Sequence, residues 1–487
     1  MEKVIRDPVH GYIHVTADLC RLFIDTPIFQ RLRSIEQTSM RWLFPGGRHD
    51  RFVHSLGVFH LARKMYEGIL RNVKDEEVKA FLNQERIQNT FWVAALMHDC
   101  GHAPFSHTTE HLYNEFASGK AHNRTYLALQ QKVAGADEDD FNFQGIRKKP
   151  ADHEAMSAYV LLSQYGDALG SFGVDSVLAA RMITGVKYRH PQNIEQEICN
   201  VLVQLINGDA IDVDKLDYVV RDTWASGVKN TAIDVGRLLD AATIAKDDDD
   251  DGKIRFSYNA SALSVIQTVI DARNYLYEWI YGHHTVVYYA ELLKQLCGKL
   301  GEALGGETGA DDVLARLFST AIFSGSEPLH SAKGAFLQTF LNDGDLMYLF
   351  KQHCSAEKAY LSYTSHVPVH VPLWKTEAEF RFLVHSDIHK TFDPKLCVDE
   401  LRKRFDLSTE DCFSCKGMSG KIYDIEPSAV KIQMRKGKVR SYCDVANVTR
   451  HPTIEDAVNP FSYIYIGKGH SSRHHEVLRF INDYQWG

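Results

Sequence analysis

Four side chains able to ligate a metal lie in three stretches far apart along the chain. They are His54 in RFVHSLGV, the neighbours His98 and Asp99 in AALMHDCGHAPFSH, and Asp214 in IDVDKLDYVVRD. A site made from them exists only if the segments that carry them meet, so this spacing constrains the fold more than any other feature of the sequence. Neutral imidazoles beside hard carboxylates suit Zn, Mn, Fe or Co, whereas an all-oxygen set indicates Mg or Ca and a thiolate set a structural Zn. Four protein ligands on an ion of higher coordination leave positions for water and a substrate oxygen, which points to catalysis. His98 and Asp99 close an apolar AALM run, where burial without a partner is costly.

Helical periodicity frames these residues. From Asp18 to Gln37, Leu19, Leu22, Phe23, Phe29, Leu32 and Ile35 recur at helical intervals, with Thr26-Pro27 as a stop and restart. Further helices are expected over 51–69, 77–98, 107–117, 153–165, 175–184, 194–207, 211–224, 234–242 and 259–300. After about Gly301 the texture changes, and YLSYTSHVPVHV, KGKVRSYCDVANVT and FSYIYIGKG alternate as strands do. The expected architecture is therefore mainly α: a helical domain over 1–300 and a smaller α+β region over 301–487. Asp247 to Gly252 mimics the start of a calcium loop, but Tyr258 stands where a bidentate Glu is needed, so a solvated hairpin tip is the reading preferred.

Composition narrows the function. A formal charge of -8 over 487 residues argues against a dedicated nucleic-acid binder and fits a small anionic ligand held in a local basic cleft. Nine cysteines are scattered apart from Cys412 and Cys415, with no disulfide-framework spacing, which suggests a reducing compartment. Cys412 and Cys415 read as ordinary thiols in a loop. No stretch of eighteen apolar residues and no apolar leader after Met1 is found, so a cytoplasmic protein that engages no membrane is expected.

Around the ligands, the residues suggest phosphate chemistry. His102 and His107 follow the His98-Asp99 pair across a Gly/Pro-broken turn and are candidates for phosphate contact and proton transfer, with Glu110 one turn on to orient His107. His60 and His111 read as structural, and His153-Glu154 is balanced between function and helix capping. Asp214, Tyr218 and Asp222 form one helical stripe flanked by Lys215 and Arg221, which gives a last metal ligand, a phosphate partner in Lys215 and sugar- or phosphate-positioning groups in Tyr218 and Asp222. A salt-bridged amphipathic helix is the alternative. No nucleotide-binding glycine loop or serine elbow is present, so metal and side chains must hold the phosphate.

Seven segments in order, IRDPVHGYI, DTPIFQRLRSIEQ, HDRFVHSLGV, HDCGHAPFSH, DHE, IDVDKLDYVVRD and ARNYLYEWIY, resemble the HD phosphohydrolase superfamily over about residues 1–300. The likeness is greatest to its deoxynucleoside triphosphate triphosphohydrolase branch. The resemblance implies an HD-domain helical core with His54, His98, Asp99 and Asp214 on the metal, and His102, His107, Glu110 and His153 around the scissile α-phosphate. It further implies Arg51, Lys215 and Arg273 as phosphate contacts, Gln37, Tyr218 and Asp222 at the sugar 3′-hydroxyl, and Tyr281 crowding the 2′ carbon. The implied reaction releases a nucleoside and inorganic tripolyphosphate from a nucleotide substrate. Its cofactor is a divalent transition metal (Mn, Fe, Zn or Co), with Mg accompanying the phosphates. Gln37-Thr38-Ser39 replaces the branch's usual Gln-Leu-Gly, which widens the expected substrates to ribonucleotides, modified nucleotides and monophosphates. A nucleotidase, a phosphodiesterase or a non-catalytic nucleotide sensor are the rival readings.

The same resemblance implies a homo-oligomer, dimer or tetramer, and an activating nucleotide site at Lys3, Val4, Asp25, Gln30 and Arg33, although Arg6 stands where the regulated branch has Asn. The competing reading has Asp25 capping a helix and Arg33 pairing on its surface.

Overall fold

The computed structural model describes residues 2–116, 119–133, 140–143, 149–228, 232–247, 252–305, 309–319, 329–330, 336–337, 341–389, 391–417, 426–434, 438–447, 461–484 and 486. The architecture is mainly α, with small sheets at its margins. Among the described residues no helix is long and apolar enough to cross a membrane.

The chain opens with an antiparallel hairpin, Glu2–Asp7 against Gly11–Thr16, which the sequence reading did not anticipate. Asp7 Oδ1 accepts the backbone N–H groups of Val9 and His10 at 2.9 and 2.8 Å, closing the turn, while Ile13 and Val15 alternate inward. Thr26 then caps the Pro27–Gln30 turn with Pro27 in its first position, as the stop and restart signal implied.

The central element is the Arg51–Asn72 helix, capped by Asp50, whose Oδ1 accepts the Val53 N–H at 3.0 Å. Helices Glu85–Met97 and Val213–Ser226 pack on it. Gly57 sets the approach to the latter: a Cβ there would lie 1.9 Å from Asp217 Oδ1 and 2.4 Å from an Arg221 nitrogen. No larger residue fits without moving that helix, so the distance between the segments bearing His54 and Asp214 depends on a missing side chain.

Three helical expectations are corrected. The 77–98 stretch is two helices, Glu76–Leu82 and Glu85–Met97, broken at Asn83-Gln84. The 107–117 stretch is a pair of 3₁₀ turns, Ser106–Thr108 and Glu110–Tyr113, because Phe105 and Ser106 take left-handed φ values of 56° and 53° and turn the chain after the ligand pair. The 259–300 stretch is helix Leu263–Tyr275, a π-turn Leu276–Tyr281 and helix His284–Gly305; the Gly282 N–H reaches back to Tyr277 O at 2.9 Å.

Strands Ala242–Asp247 and Lys253–Asn259 pair antiparallel on either side of the acidic stretch, whose residues 248–251, where the hairpin tip is expected, lie outside the described residues. Strand Lys253–Asn259 also pairs in parallel with Lys431–Gln433, and Val439–Ser441 completes a four-stranded sheet. A second sheet orders His370–Pro372, Ser462–Gly467 and Cys412–Lys416, so FSYIYIGKG is a strand as expected. YLSYTSHVPVHV is corrected: Lys358–Ser365 is a helix and only His370–Pro372 is strand, because Tyr363 is buried against Trp42 with ring centroids 4.5 Å apart. In KGKVRSYCDVANVT, Val439–Ser441 is strand and Tyr442–Ala446 a short helix capped by Ser441, while 436–437 and 448–449 lie outside the described residues. Cys412 and Cys415 are buried free thiols on a strand rather than in a loop, and an odd separation puts them on opposite faces.

A candidate metal and phosphate site

The Glu85–Met97 helix ends at His98, and the turn that follows lies on the Asp152–Gln164 helix, where the Gly101 N–H donates to Ser157 Oγ at 3.0 Å. This end-on placement delivers His98 and Asp99 to the first turn of the Arg51–Asn72 helix, beside Arg51 and His54. His54 Nε2 lies 3.0 Å from Asp214 Oδ1, 3.3 Å from His98 Nε2 and 3.7 Å from Asp99 Oδ2. The four predicted ligands therefore meet.

Their protonation indicates what fits between them. His54 Nδ1–H donates to the Asp217 carboxylate at 2.7 Å, and His98 Nδ1–H donates to Ala95 O at 2.9 Å. With both Nδ1 atoms committed as donors, the Nε2 lone pairs face each other beside two carboxylates, an arrangement that calls for a cation. Burial disfavours a charged His54, but its hydrogen bonds to the Asp214 and Asp217 carboxylates win and raise it to about 9, so a proton on Nε2 takes the place beside Asp214 that a metal ion would fill. The chain's own donor set thus fits a divalent ion.

A second cluster adjoins it. His107 Nδ1 and His153 Nδ1 donate to the two oxygens of Glu110 at 3.0 and 2.5 Å. Burial alone would favour the neutral Glu110 acid, but the two imidazoles hold it well below the usual carboxylate range. His153, also opposed by burial, is raised to about 9 by Glu110. His102 stacks on His153 at 4.4 Å, fully buried, and burial with nearby Arg51 keeps it far below the usual histidine range. It stands behind the cavity wall. The four side chains could also hold an ion, since ligand atoms of His102, His107, Glu110 and His153 lie within 4.8 Å of one another. Glu154 divides the His153-Glu154 pair by role: its Oε2 accepts the Ala151 N–H at 2.8 Å as a cap.

A cavity of about 540 Å³ opens over both clusters, with Gln37, Arg51, Asp99, Asp214, Lys215 and Tyr218 among its walls. Arg51 is heavily engaged: NH1 to Asp99 Oδ2 at 2.7 Å, Nε to Ser106 Oγ at 3.0 Å, and NH2 to Gln37 O at 3.0 Å and His107 Nε2 at 3.2 Å. Lys215 Nζ donates to Asp212 Oδ2 at 2.6 Å and Gly208 O at 2.9 Å. Asp222 accepts from the Tyr281 hydroxyl, and both line the cavity. Arg273 does not line it; it lies behind Tyr218, donating from Nε to the hydroxyl at 3.0 Å, with its guanidinium 3.9 Å from the Tyr277 ring centre. His60 stacks on His10 at 5.6 Å, and neither His60 nor His111 lines the cavity.

Sequence reasoning missed the supporting residues. Asp217 is a hub: besides His54 it accepts from His10 Nε2 at 2.5 Å and Arg221 Nε at 2.8 Å, and Arg221 NH1 reaches Asp7 at 2.9 Å. Arg221, which flanks the Asp214 stripe, is buried. The available signal was the Asp217/Arg221 i, i+4 pair inside an apolar helix face. His49, which donates from Nε2 to Asp222 at 2.6 Å, carried no local signal.

The five residues assigned to an activator site lie on the opening hairpin and the turns after it. Lys3 Nζ pairs with Asp25 at 2.6 Å, Arg33 Nε donates to Gln30 Oε1 at 2.8 Å and sits 3.5 Å over the Phe52 ring, and Val4 is exposed. Asp25 does not cap the following turn; Thr26 does.

A family model described as "HD domain" matches residues 51–200. The chain is 30% identical over 288 residues to the uncharacterized protein YwfO of Bacillus subtilis, spanning 58% of this chain and 52% of that one. It is 30% identical over 287 residues to the human deoxynucleoside triphosphate triphosphohydrolase SAMHD1, spanning 58% and 42%. The chain thus spans about half the length of the curated relatives it matches. Among solved structures, a phosphohydrolase from Bacteroides thetaiotaomicron has the same fold at TM-score 0.63, 18% identity and coverage of 96% and 100%. A hypothetical protein from Aquifex aeolicus does so at TM-score 0.60, 19% identity and coverage of 98% and 100%. Residues 51–200 thus match the HD domain, and the relatives similar to this chain over about half their length include deoxynucleoside triphosphate triphosphohydrolases.

Proposed function

We propose that the protein hydrolyses (deoxy)nucleoside triphosphates at the bond between the 5′-oxygen and the α-phosphorus, releasing a nucleoside and inorganic tripolyphosphate. The observation that carries this reading is the junction of an ion-demanding His54/His98/Asp99/Asp214 cluster with a proton-holding His107/Glu110/His153 cluster on one cavity. His54, His98, Asp99 and Asp214 would hold a Mn, Fe, Zn or Co ion, which would supply Lewis-acid stabilisation and a more acidic water, and Mg would accompany the phosphates. Arg51 and Lys215 offset the negative charge that gathers on the phosphoryl oxygens. His107, about half exposed to the cavity and oriented through Nδ1 by Glu110, gives a proton from Nε2 to the leaving 5′-oxygen once the Arg51 NH2 contact there shifts to phosphate. Water oxygen joins the α-phosphorus as the P–O5′ bond breaks, and a proton from that water replaces the one His107 gives. His153 stays charged and fixes the other oxygen of Glu110.

Gln37, Tyr218, Asp222 and Tyr281 are assigned to the sugar, with Arg273 acting through Tyr218. We assign the chemistry to residues 1–300 and the closing of the cavity's outer side to elements beyond them. A cytoplasmic homo-oligomer, dimer or tetramer, with an activator nucleotide near Lys3, Val4, Asp25, Gln30 and Arg33 completes the proposal.

Thr38 and Ser39 on the cavity wall favour one rival, a nucleotidase or phosphodiesterase with a more polar sugar pocket. Chromatography of products from the metal-loaded protein separates them: tripolyphosphate for the proposed reaction, orthophosphate or an unchanged phosphate count for the rivals. A nucleotide bound for hours with no product would leave only a sensor.

A further inference from the structure

One end of the cavity is not used by the phosphate chemistry. It is walled by a single stripe of the His284–Gly305 helix, where Val286, Val287 and Ala290 present apolar surface and Glu291 follows at the edge. Cys415 and Lys416 of strand Cys412–Lys416 face the same space. Glu291 is partly buried, and among the described residues no hydrogen-bond or ion-pair partner meets its carboxyl; Lys294, three residues on, acts on it only through its charge. Burial raises its pKa above the ordinary carboxylate value. Apolar surface edged by a carboxyl without a hydrogen-bond partner, with Lys294 and Lys416 also on the cavity wall, suits a flat heteroaromatic ring: face against aliphatic carbons, edge against the carboxyl.

We infer that Glu291 is a specificity-determining residue that selects a nucleobase bearing an exocyclic amino group over thymine; this rests on the nucleotide reading above. Adenine, cytosine and guanine each point an amino donor from their pairing edge at such an acceptor, whereas thymine sets two carbonyl acceptors around a single N–H. A buried acceptor left facing acceptors is penalised, so discrimination follows from what the wrong base cannot offer.

The test uses the metal-loaded full chain. Calorimetric binding of deoxyadenosine, deoxycytidine, deoxyguanosine and thymidine is measured alongside kcat/KM for the four triphosphates, in wild type, Glu291→Ala and Glu291→Gln, with metal content and melting temperature as controls for folding. The expected result is a wild-type preference for the amino-bearing bases of at least about tenfold. Glu291→Ala should flatten that preference, and Glu291→Gln, whose amide donates to a carbonyl, should shift it toward thymidine. Equal changes for all four bases, or a preference untouched by either variant, overturns the assignment. If nucleosides bind with the expected preference but no triphosphate is cleaved, the proposed reaction fails and the role of Glu291 stands. If neither nucleosides nor triphosphates bind, both fail.

Discussion

Two neighbouring clusters use the same residue types to opposite ends. In the first, His54 and His98 each commit Nδ1 to a fixed acceptor, Asp217 or Ala95 O, and turn bare Nε2 atoms toward each other and toward Asp99 and Asp214. In the second, His107 and His153 spend Nδ1 on the two oxygens of one carboxylate, Glu110, so donors and acceptor satisfy each other. The first demands a cation and the second stores a proton. Nδ1 is engaged in both; what accepts from it, and what Nε2 faces, separates the two tasks.

The contrast breaks most sharply at His54. His54→Ala should remove stoichiometric metal and all turnover; metal retained by that variant in elemental analysis means that the ion sits elsewhere. His107→Ala should lower turnover by about 10²–10⁴-fold with metal content unchanged, the loss expected for a proton donor. Metal lost together with activity would assign His107 to the ion instead. Asp217→Asn, which stops fixing the His54 tautomer, should weaken metal affinity by about 10–100-fold, read by competition with a chelator. Unchanged affinity would make Asp217 a purely structural hub.

The smallest effect is in pH. His153 is raised from 6.5 to about 9 in the folded chain, so its pairing with Glu110 contributes stability in full below about 6.5 and loses it as pH rises through about 9. The melting-temperature difference between wild type and His153→Gln should therefore shrink between pH 7 and 10. A difference that stays constant over that range would show that His153 is held by packing on His102 rather than by charge.

Legibility from sequence varied with the range of the forces involved. His54, His98, Asp99 and Asp214 were readable because costly polar groups in apolar helical runs need a common partner. Thr26-Pro27 was readable because capping is local. Asp217 was not, because its partners His10, His54 and Arg221 come from three elements and its neighbour Asp214 already explained the motif. The 107–117 stretch looked helical by period, yet the left-handed Phe105 and Ser106 follow from packing, with the Phe105 N–H donating to Asp343 Oδ1 at 2.7 Å. Lys358–Ser365 alternated like a strand and became a helix because burying Tyr363 against Trp42 outweighed pattern.

By itself the sequence determined a mainly helical protein with a His/Asp constellation able to hold a metal ion, since periodicity and the expense of burying charge act on residues where they stand. Tertiary structure alone decided which imidazole nitrogen faces the ion, that Arg273 lies behind Tyr218, and that helix His284–Gly305 and strand Cys412–Lys416 wall the cavity's outer end. Those outcomes depend on directions and distances between segments hundreds of residues apart, which only the packed chain sets.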